Sequence, residues 1–287
     1  MQPSIARTPN TAPKIIPPDS GEVYALLVGV GNYQHDGVPK LNYAASDPHR
    51  LREALVEAGA STNNIMVLTD KEATMARVRY EVGSNHLTKA GPEDTVIFYF
   101  SGHGAPEQNP NRPDGFEKYL MFYNTDPNML YGSGYGLGEI GVDLARLDAN
   151  RVVLVIDSCF AGEVATLQGL KALNLQDDYQ VVTERRRPQA ANAPQYDEPS
   201  YERSTVVIAS SRANQVSQEH GDLQAGVFTY YFVDGLQNRT ADLDGDGRIA
   251  VGEAFEYASR RVADKTGRKQ TPVMAPREPV VPIYLRR

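Results

Sequence analysis

Short, uninterrupted apolar runs alternate along this chain with stretches whose apolar positions recur every three or four residues. "VYALLVGVGNY" (23–33) is continuous until it meets Gly and Asn, the pattern of a strand buried on both faces whose carboxyl end opens into a loop. "SDPHRLREALVEAG" (46–59) instead spaces Leu51, Ala54, Leu55 and Ala58 along one helical face, with Ser46 at the cap position and Gly59 at the stop. The same reading predicts a strand over 64–70, a helix over about 73–90, a strand over 95–104, a short helix over 138–147 and a strand over 151–160. A strand over 204–211, helices over 227–237 and 251–265, and a short strand over 281–285 complete the series. Strands alternating with helices predict an α/β fold with a mostly parallel central sheet, flanked by helices on both faces.

Two stretches lack such periodicity. Residues 1–21 are rich in Pro, Thr and Ser and read as a disordered lead-in to a single domain over 22–287. Residues 163–204 read as a long irregular loop, a feature that compact domains keep for function or leave disordered. No internal repeat interrupts the pattern.

Composition narrows the function. With 29 Lys and Arg against 36 Asp and Glu, the formal net charge of −7 argues against a nucleic-acid or anionic-membrane surface. No run of about 18 apolar residues and no amino-terminal apolar core occurs, so neither a membrane span nor a signal peptide is read. One cysteine excludes an intramolecular disulfide, which makes a cytoplasmic setting the default expectation.

That cysteine, Cys159, lies in "VVLVIDSCFAG", just past a predicted strand. A lone cysteine is a small hydrophobic filler unless it has a partner. His103 in "FYFSGHG" stands just past another strand, and open α/β sheets gather their active sites outside the carboxyl ends of the strands. If the two strands are neighbours, an imidazole faces the thiol, accepts its proton and stabilises the thiolate. Gly102 and Gly104 let the backbone pass close to a substrate and leave N–H groups for an oxyanion. The other histidines, His35, His49, His86 and His220, show no metal-ligand spacing and read as surface or structural.

A second motif is independent of the first. "DLDGDGRIAVGE" (242–253) places Asp242, Asp244 and Asp246 at positions 1, 3 and 5 of an EF-hand loop, Gly247 at 6, Ile249 at 8 and Glu253 at 12, with Arg248 contributing its carbonyl. Hard oxygen donors on alternate residues select Ca²⁺ over Zn²⁺. The competing reading is an acidic turn that caps the helix beginning "GEAFEYASRRV".

"YALLVGVGNY", "YFSGHGA" and "VLVIDSCFAG", in this order, closely resemble the caspase-like cysteine peptidases, in particular metacaspases and the prokaryotic orthocaspases, over roughly 23–237. The resemblance implies a caspase-like fold, a His103/Cys159 dyad, and the N–H groups of Gly104 and Cys159 as oxyanion donors. By motif position it also implies Asp47, Ser101 and Asp157 as a primary pocket for Arg or Lys at P1, the residue before the cut. Two carboxylates beside a nucleophile suit a guanidinium or ammonium. The alternative readings are helix capping for Asp47 and a strand-end turn for Asp157. Metacaspases usually have Cys where this chain has Ala44.

"ASSRANQVSQE" (209–219) resembles the segment that lines the family's substrate cleft, with Ser210 and Gln215 as candidates. Arg212, if it entered the pocket, would favour an acidic P1 residue instead. Family zymogens are often cut between the Cys-bearing strand and the next one, which makes Lys171, Arg185, Arg186 and Arg203 candidate self-cleavage residues. The expectation is a monomeric endopeptidase acting on proteins or peptides. The rivals are a calcium-responsive scaffold without turnover and a peptidase with acidic P1 preference.

Overall fold

β-Branched and aromatic runs become strands here because both of their faces are covered. The protein is described by a computed structural model over residues 21–111, 115–158, 203–212, 215–276 and 283–286. β1 (Val23–Gly29) leads through a loop to α1 (Asp47–Glu57), and β2 (Ile65–Thr69), α2 (Met75–Gly83) and β3 (Thr95–Ser101) follow. A separate antiparallel sheet comes next, made of β4 (Gly104–Gln108), β5 (Phe116–Leu120) and, beyond the short α3 (Leu130–Ser133), β6 (Tyr135–Gly136). Then come α4 (Leu137–Ala145), β7 (Arg151–Asp157), β8 (Ser204–Ala209), the pair β9 (Glu219–His220) and β10 (Ala225–Gly226), and α5 (Val227–Gln237). β11 (Ile249–Ala250), α6 (Val251–Lys265), β12 (Val273–Ala275) and β13 (Tyr284–Arg286) complete the described elements.

The central sheet has the order β12-β8-β7-β3-β1-β2, parallel throughout except for β12. Alternate side chains leave a strand on opposite faces, so each strand feeds two cores. Leu26, Val28, Phe98, Phe100, Leu154 and Ile156 pack with Val78 and Val82 of α2 and Ile140 and Leu144 of α4. Leu27, Ile97, Tyr99, Val153 and Val155 pack with Leu51 and Leu55 of α1, Phe228 and Phe232 of α5 and Ala254 and Val262 of α6. The expected α/β fold is therefore present, with helices on both faces.

β1 lies between β2 and β3, so the chain steps one way from β1 to β2 and the other way from β1 to β3. This reversal opens a crevice at the carboxyl ends, where ligands of open α/β sheets bind. The strands finish flush there: Gly29 pairs with Ser101, and Ser101 with Asp157.

Several boundaries differ from the pattern in the sequence. The predicted strand 95–104 ends at Ser101, and Gly104 opens β4 instead. The predicted helix 73–90 splits into α2 and a 3-10 turn at Leu87–Lys89, because Gly83 and Ser84 stop the helix. The β4-β5-β6 sheet went unpredicted, its strands being short and polar with Pro106 inside one of them. The antiparallel edge strand β12 also went unpredicted, and the last strand pairs with β11 rather than with the central sheet. Ser46 does precede α1, but its hydroxyl donates to the Tyr43 carbonyl at 2.8 Å and caps nothing. Gly59 adopts φ +104° just past α1, as a helix stop requires.

Leu154, fully buried on β7, tests the core beneath the site. Leu154→Ala should lower unfolding free energy by about 2–5 kcal/mol, measured by urea denaturation.

Candidate active site

His103 stands two residues past the end of β3, and two neighbours from the β1–α1 loop hold it. Its backbone N–H donates to the Tyr33 hydroxyl at 2.7 Å, and the two rings lie 5.2 Å apart. Its Nε2 lies 2.8 Å from the carbonyl oxygen of Pro39. A carbonyl only accepts, so Nε2 carries the proton and Nδ1 is left as the basic nitrogen. Tyr33 is placed in turn by Asp70, whose carboxylate accepts the N–H groups of Gly31 and Asn32, both at 2.9 Å. Neither Pro39 nor Tyr33 was legible as a site residue: Pro39 acts through its backbone, and Tyr33 closes the run "VYALLVGVGNY" with nothing in it to direct the hydroxyl to His103.

Gly104 pairs with Leu120 across β4 and β5, while the Met121 N–H donates to the His103 carbonyl at 2.9 Å. That pattern makes Gly104 and Leu120 a non-hydrogen-bonded pair, so the Gly104 N–H points away from β5. It is available to a ligand beside His103. Gly102 has no room for a side chain, since a Cβ there would lie 2.8 Å from the Phe100 ring and 3.0 Å from the Tyr33 hydroxyl.

β7 and β3 are immediate neighbours, which meets the condition set for a facing imidazole and thiol. Cys159 itself lies outside the described residues, two positions after Asp157, the last residue of β7.

Asp47, Ser101 and Asp157 are brought together. The Ser101 hydroxyl donates to Asp47 Oδ2 at 3.2 Å, and the Gly226 N–H reaches the same oxygen at 3.2 Å. Asp47 is the first residue of α1 yet its carboxylate turns to β3 and β10, so the helix-cap reading does not hold. Asp157 accepts from the Thr229 hydroxyl at 2.7 Å and from the Ser217 hydroxyl, against which the Ser210 hydroxyl rests. An atom in place of the missing Cβ of Gly226 would meet Asp157 Oδ2 at 2.8 Å and Asp47 Oδ2 at 3.0 Å, so the two carboxylates flank one point. Both are buried. Burial first, and then the Asp157 charge, push the Asp47 carboxyl up to about 8. Burial also raises Asp157, against the pull of its hydroxyl donors.

The segment after β8 divides. Ser210 is buried and its hydroxyl lies 2.9 Å from that of Ser217, at the carboxylates. Gln215 turns away: its Oε1 accepts the Thr271 N–H at 2.8 Å. Arg212 is exposed to solvent, and no described ion pair contains it. Gln270, unmarked in the sequence, anchors this segment, accepting the Gln218 N–H at 3.0 Å and donating to the Ser210 carbonyl at 2.9 Å. On the β2 side of Tyr33 a cleft of about 550 Å³ opens among Asn32, Lys40, Lys71 and Tyr123, clear of the carboxylates.

Among the proposed cut sites, Arg203 is tied into the fold, its guanidinium donating to the carbonyls of Leu144 and Ala145 at 3.0 and 3.1 Å. That contact makes it a poor cut site. Lys171, Arg185 and Arg186 lie outside the described residues, as does most of the 163–204 loop.

In the 242–253 loop, oxygens of Asp242, Asp244 and Asp246 lie within 4.8 Å of one another. Gly247 takes φ +86° at the turn, and the Glu253 carboxylate accepts the N–H groups of Leu243 at 2.9 Å and Ala250 at 2.8 Å. Convergent hard oxygens fit a calcium-sized cation. Arg248 does more than the sequence implied: its guanidinium holds Asp246 Oδ2 at 2.6 Å and lies 4.3 Å from the Tyr284 ring. The Asp246 carboxyl is pulled below its ordinary value by that contact.

The fold is a mostly parallel α/β sheet with a candidate active site at its strand ends. The family described as the caspase domain, a peptidase family, matches residues 22–281, and the chain belongs to it, a cysteine peptidase at the family level acting on protein substrates. A crystal structure of a protein from Geobacter sulfurreducens shares the fold at 20% identity, covering 88% of this chain and 92% of that one, with a TM-score of 0.57. Among curated proteins no sequence matches. No described helix is long and apolar enough to cross a membrane.

The raised carboxyls make a stability prediction. Between the ordinary aspartate range and about pH 8 the folded chain binds more protons at Asp47 than the unfolded chain does, so this group's contribution to stability falls as pH rises through that window. Asp47→Asn should therefore raise the melting temperature near pH 9 and lose that advantage towards pH 5, measured by calorimetry.

Proposed function

We propose that the protein is a cysteine endopeptidase that cleaves after arginine or lysine. The observation that carries this reading is the meeting of two buried carboxylates, Asp47 and Asp157, at the strand end that leads into Ser158 and Cys159. Two adjacent acids with raised proton affinity have no countercharge among the described residues. A guanidinium supplies one and pairs with carboxylates in a bidentate fashion, so both can ionise around it. Ser101 extends the pocket wall on the β3 side and Ser210 on the β8 side.

The chemistry follows from the orientation of His103. With Nε2–H engaged by Pro39, Nδ1 takes the proton of the Cys159 thiol. The thiolate attacks the scissile carbonyl, and the Gly104 N–H donates to the developing oxyanion. His103 returns the proton to the leaving amine, the C–N bond breaks, and water then hydrolyses the thioester to regenerate the thiol.

Ca²⁺ is assigned to the 242–253 loop, with Asp242, Asp244, Asp246 and Glu253 as side-chain ligands and Arg248 through its carbonyl. A bound cation would supply charge that Arg248 now supplies to Asp246, and would stiffen the start of α6. The enzyme is read as a cytoplasmic monomer, processed by its own activity at Lys171, Arg185 or Arg186.

Fluorogenic peptides ending in Arg, Lys or Asp test the reading. Wild type should cleave the Arg and Lys reporters and spare Asp; Cys159→Ala should be inactive and remain in one piece, and Asp157→Asn should lose basic P1 preference. Cleavage after Asp, or activity that survives Cys159→Ala, would overturn it. Calorimetric titration with CaCl₂ should show one site in wild type and none in Asp242→Ala.

A further inference from the structure

The β1–α1 loop serves both halves of the site. At one end the Pro39 carbonyl orients His103; at the other, Asp47 forms the carboxylate pair. Three consecutive N–H groups between them, those of Asn42, Tyr43 and Ala44, all point at one carboxylate. Glu219 Oε2 accepts from Asn42 at 2.8 Å, and its Oε1 from Tyr43 at 2.8 Å and Ala44 at 3.1 Å. Successive N–H groups converging in this way form an anion-binding nest, and here the anion is supplied from more than 170 residues away in the chain.

Glu219 sits on β9, opposite Gly226 of β10, whose N–H donates to Asp47. The preceding residue, Gln218, is pinned to Gln270, and Ser217 donates to Asp157. One side chain therefore joins the segment that borders the carboxylate pair to the loop that carries Pro39 and Asp47.

Resting on the proposed basic P1 preference, we infer that Glu219 is a positioning residue for the reaction: its carboxylate locks the β1–α1 loop so that the His103 orientation and the Asp47 pocket wall are set together. It also places a third negative charge beside the pair. The groups facing Asp47 are Ser101 and Tyr99 of β3, Asp157 at the end of β7, the Gly226 N–H of β10 and Glu219 of β9. Arg50, one turn further along α1, is directed instead to the Gln224 carbonyl at 3.2 Å. Binding a guanidinium requires Asp47 to ionise, so kcat/KM for an Arg reporter should rise with pH across the Asp47 titration. Removing the Glu219 charge eases that ionisation, and the rising limb should move to lower pH.

Glu219→Ala and Glu219→Gln, with thermal melts and alkylation of Cys159 by iodoacetamide, test the inference. Glu219→Ala should lose roughly tenfold or more in kcat/KM on the Arg reporter, in kcat as well as KM, because both halves of the site depend on the loop. It should also alkylate more slowly. Glu219→Gln keeps an oxygen for Tyr43 and Ala44 but lacks the charge, and should lose only a few-fold while its pH limb moves to lower pH. A folded Glu219→Ala enzyme within about twofold of wild type overturns the inference. If that variant fails to fold, an unmoved limb in Glu219→Gln overturns it. If wild type itself ignores Arg and Lys reporters, the P1 reading falls, and alkylation alone decides: slowed in Glu219→Ala supports the lock, and an unchanged rate refutes it.

Discussion

Two carboxyl groups held side by side without solvent are the interaction around which this end of the sheet is arranged. Burying a carboxylate is costly unless it is hydrogen-bonded or protonated, and burying a second one beside it raises the cost again. The fold answers with donors from separate elements: Ser101 from β3, Ser217 from the segment after β8, Thr229 from α5 and the Gly226 N–H from β10. Gly226 is required because a Cβ would collide with both acids. Even with these donors the Asp47 carboxyl holds its proton up to about pH 8. Carboxyls perturbed in this way by burial and by one another cluster at functional sites.

The His103 side of the crevice depends on the same loop that leads into Asp47. Pro39 and Tyr33 both precede α1 and both hold His103, through a carbonyl and a hydroxyl. The loop is in turn fastened at two places, by Asp70 at the end of β2 and by Glu219 on β9. Under the proposed mechanism, recognition and proton transfer are thus not independent modules. They share a backbone segment whose position is set by strands on either side of β1 and by a hairpin from the far end of the chain.

Much of this was legible along the chain. Apolar runs marked β1, β2, β3, β7 and β8 because parallel strands covered on both faces leave no polar alternation. Ser101, His103 and Asp157 stand at or just past strand ends and Asp47 opens α1, positions that short motifs mark along the chain, while Cys159 lies outside the described residues. The β4-β5-β6 sheet was not, since short polar strands gain their identity from pairing rather than from composition. Gln215 follows a related rule: its side chain finds Thr271, a partner that its neighbours along the chain do not indicate.

The amino-acid sequence alone determined the class of fold and the family, because periodicity and strand-end motifs are local properties. Only the tertiary structure decided which nitrogen of His103 bears the proton, that the two acids converge on one glycine, that Arg248 occupies Asp246, and that Glu219 clasps three N–H groups of a distant loop. Each of these is a contact between segments far apart in the chain or a choice among side-chain directions. Such choices depend on the packing of the whole sheet, which no short stretch of residues encodes by itself.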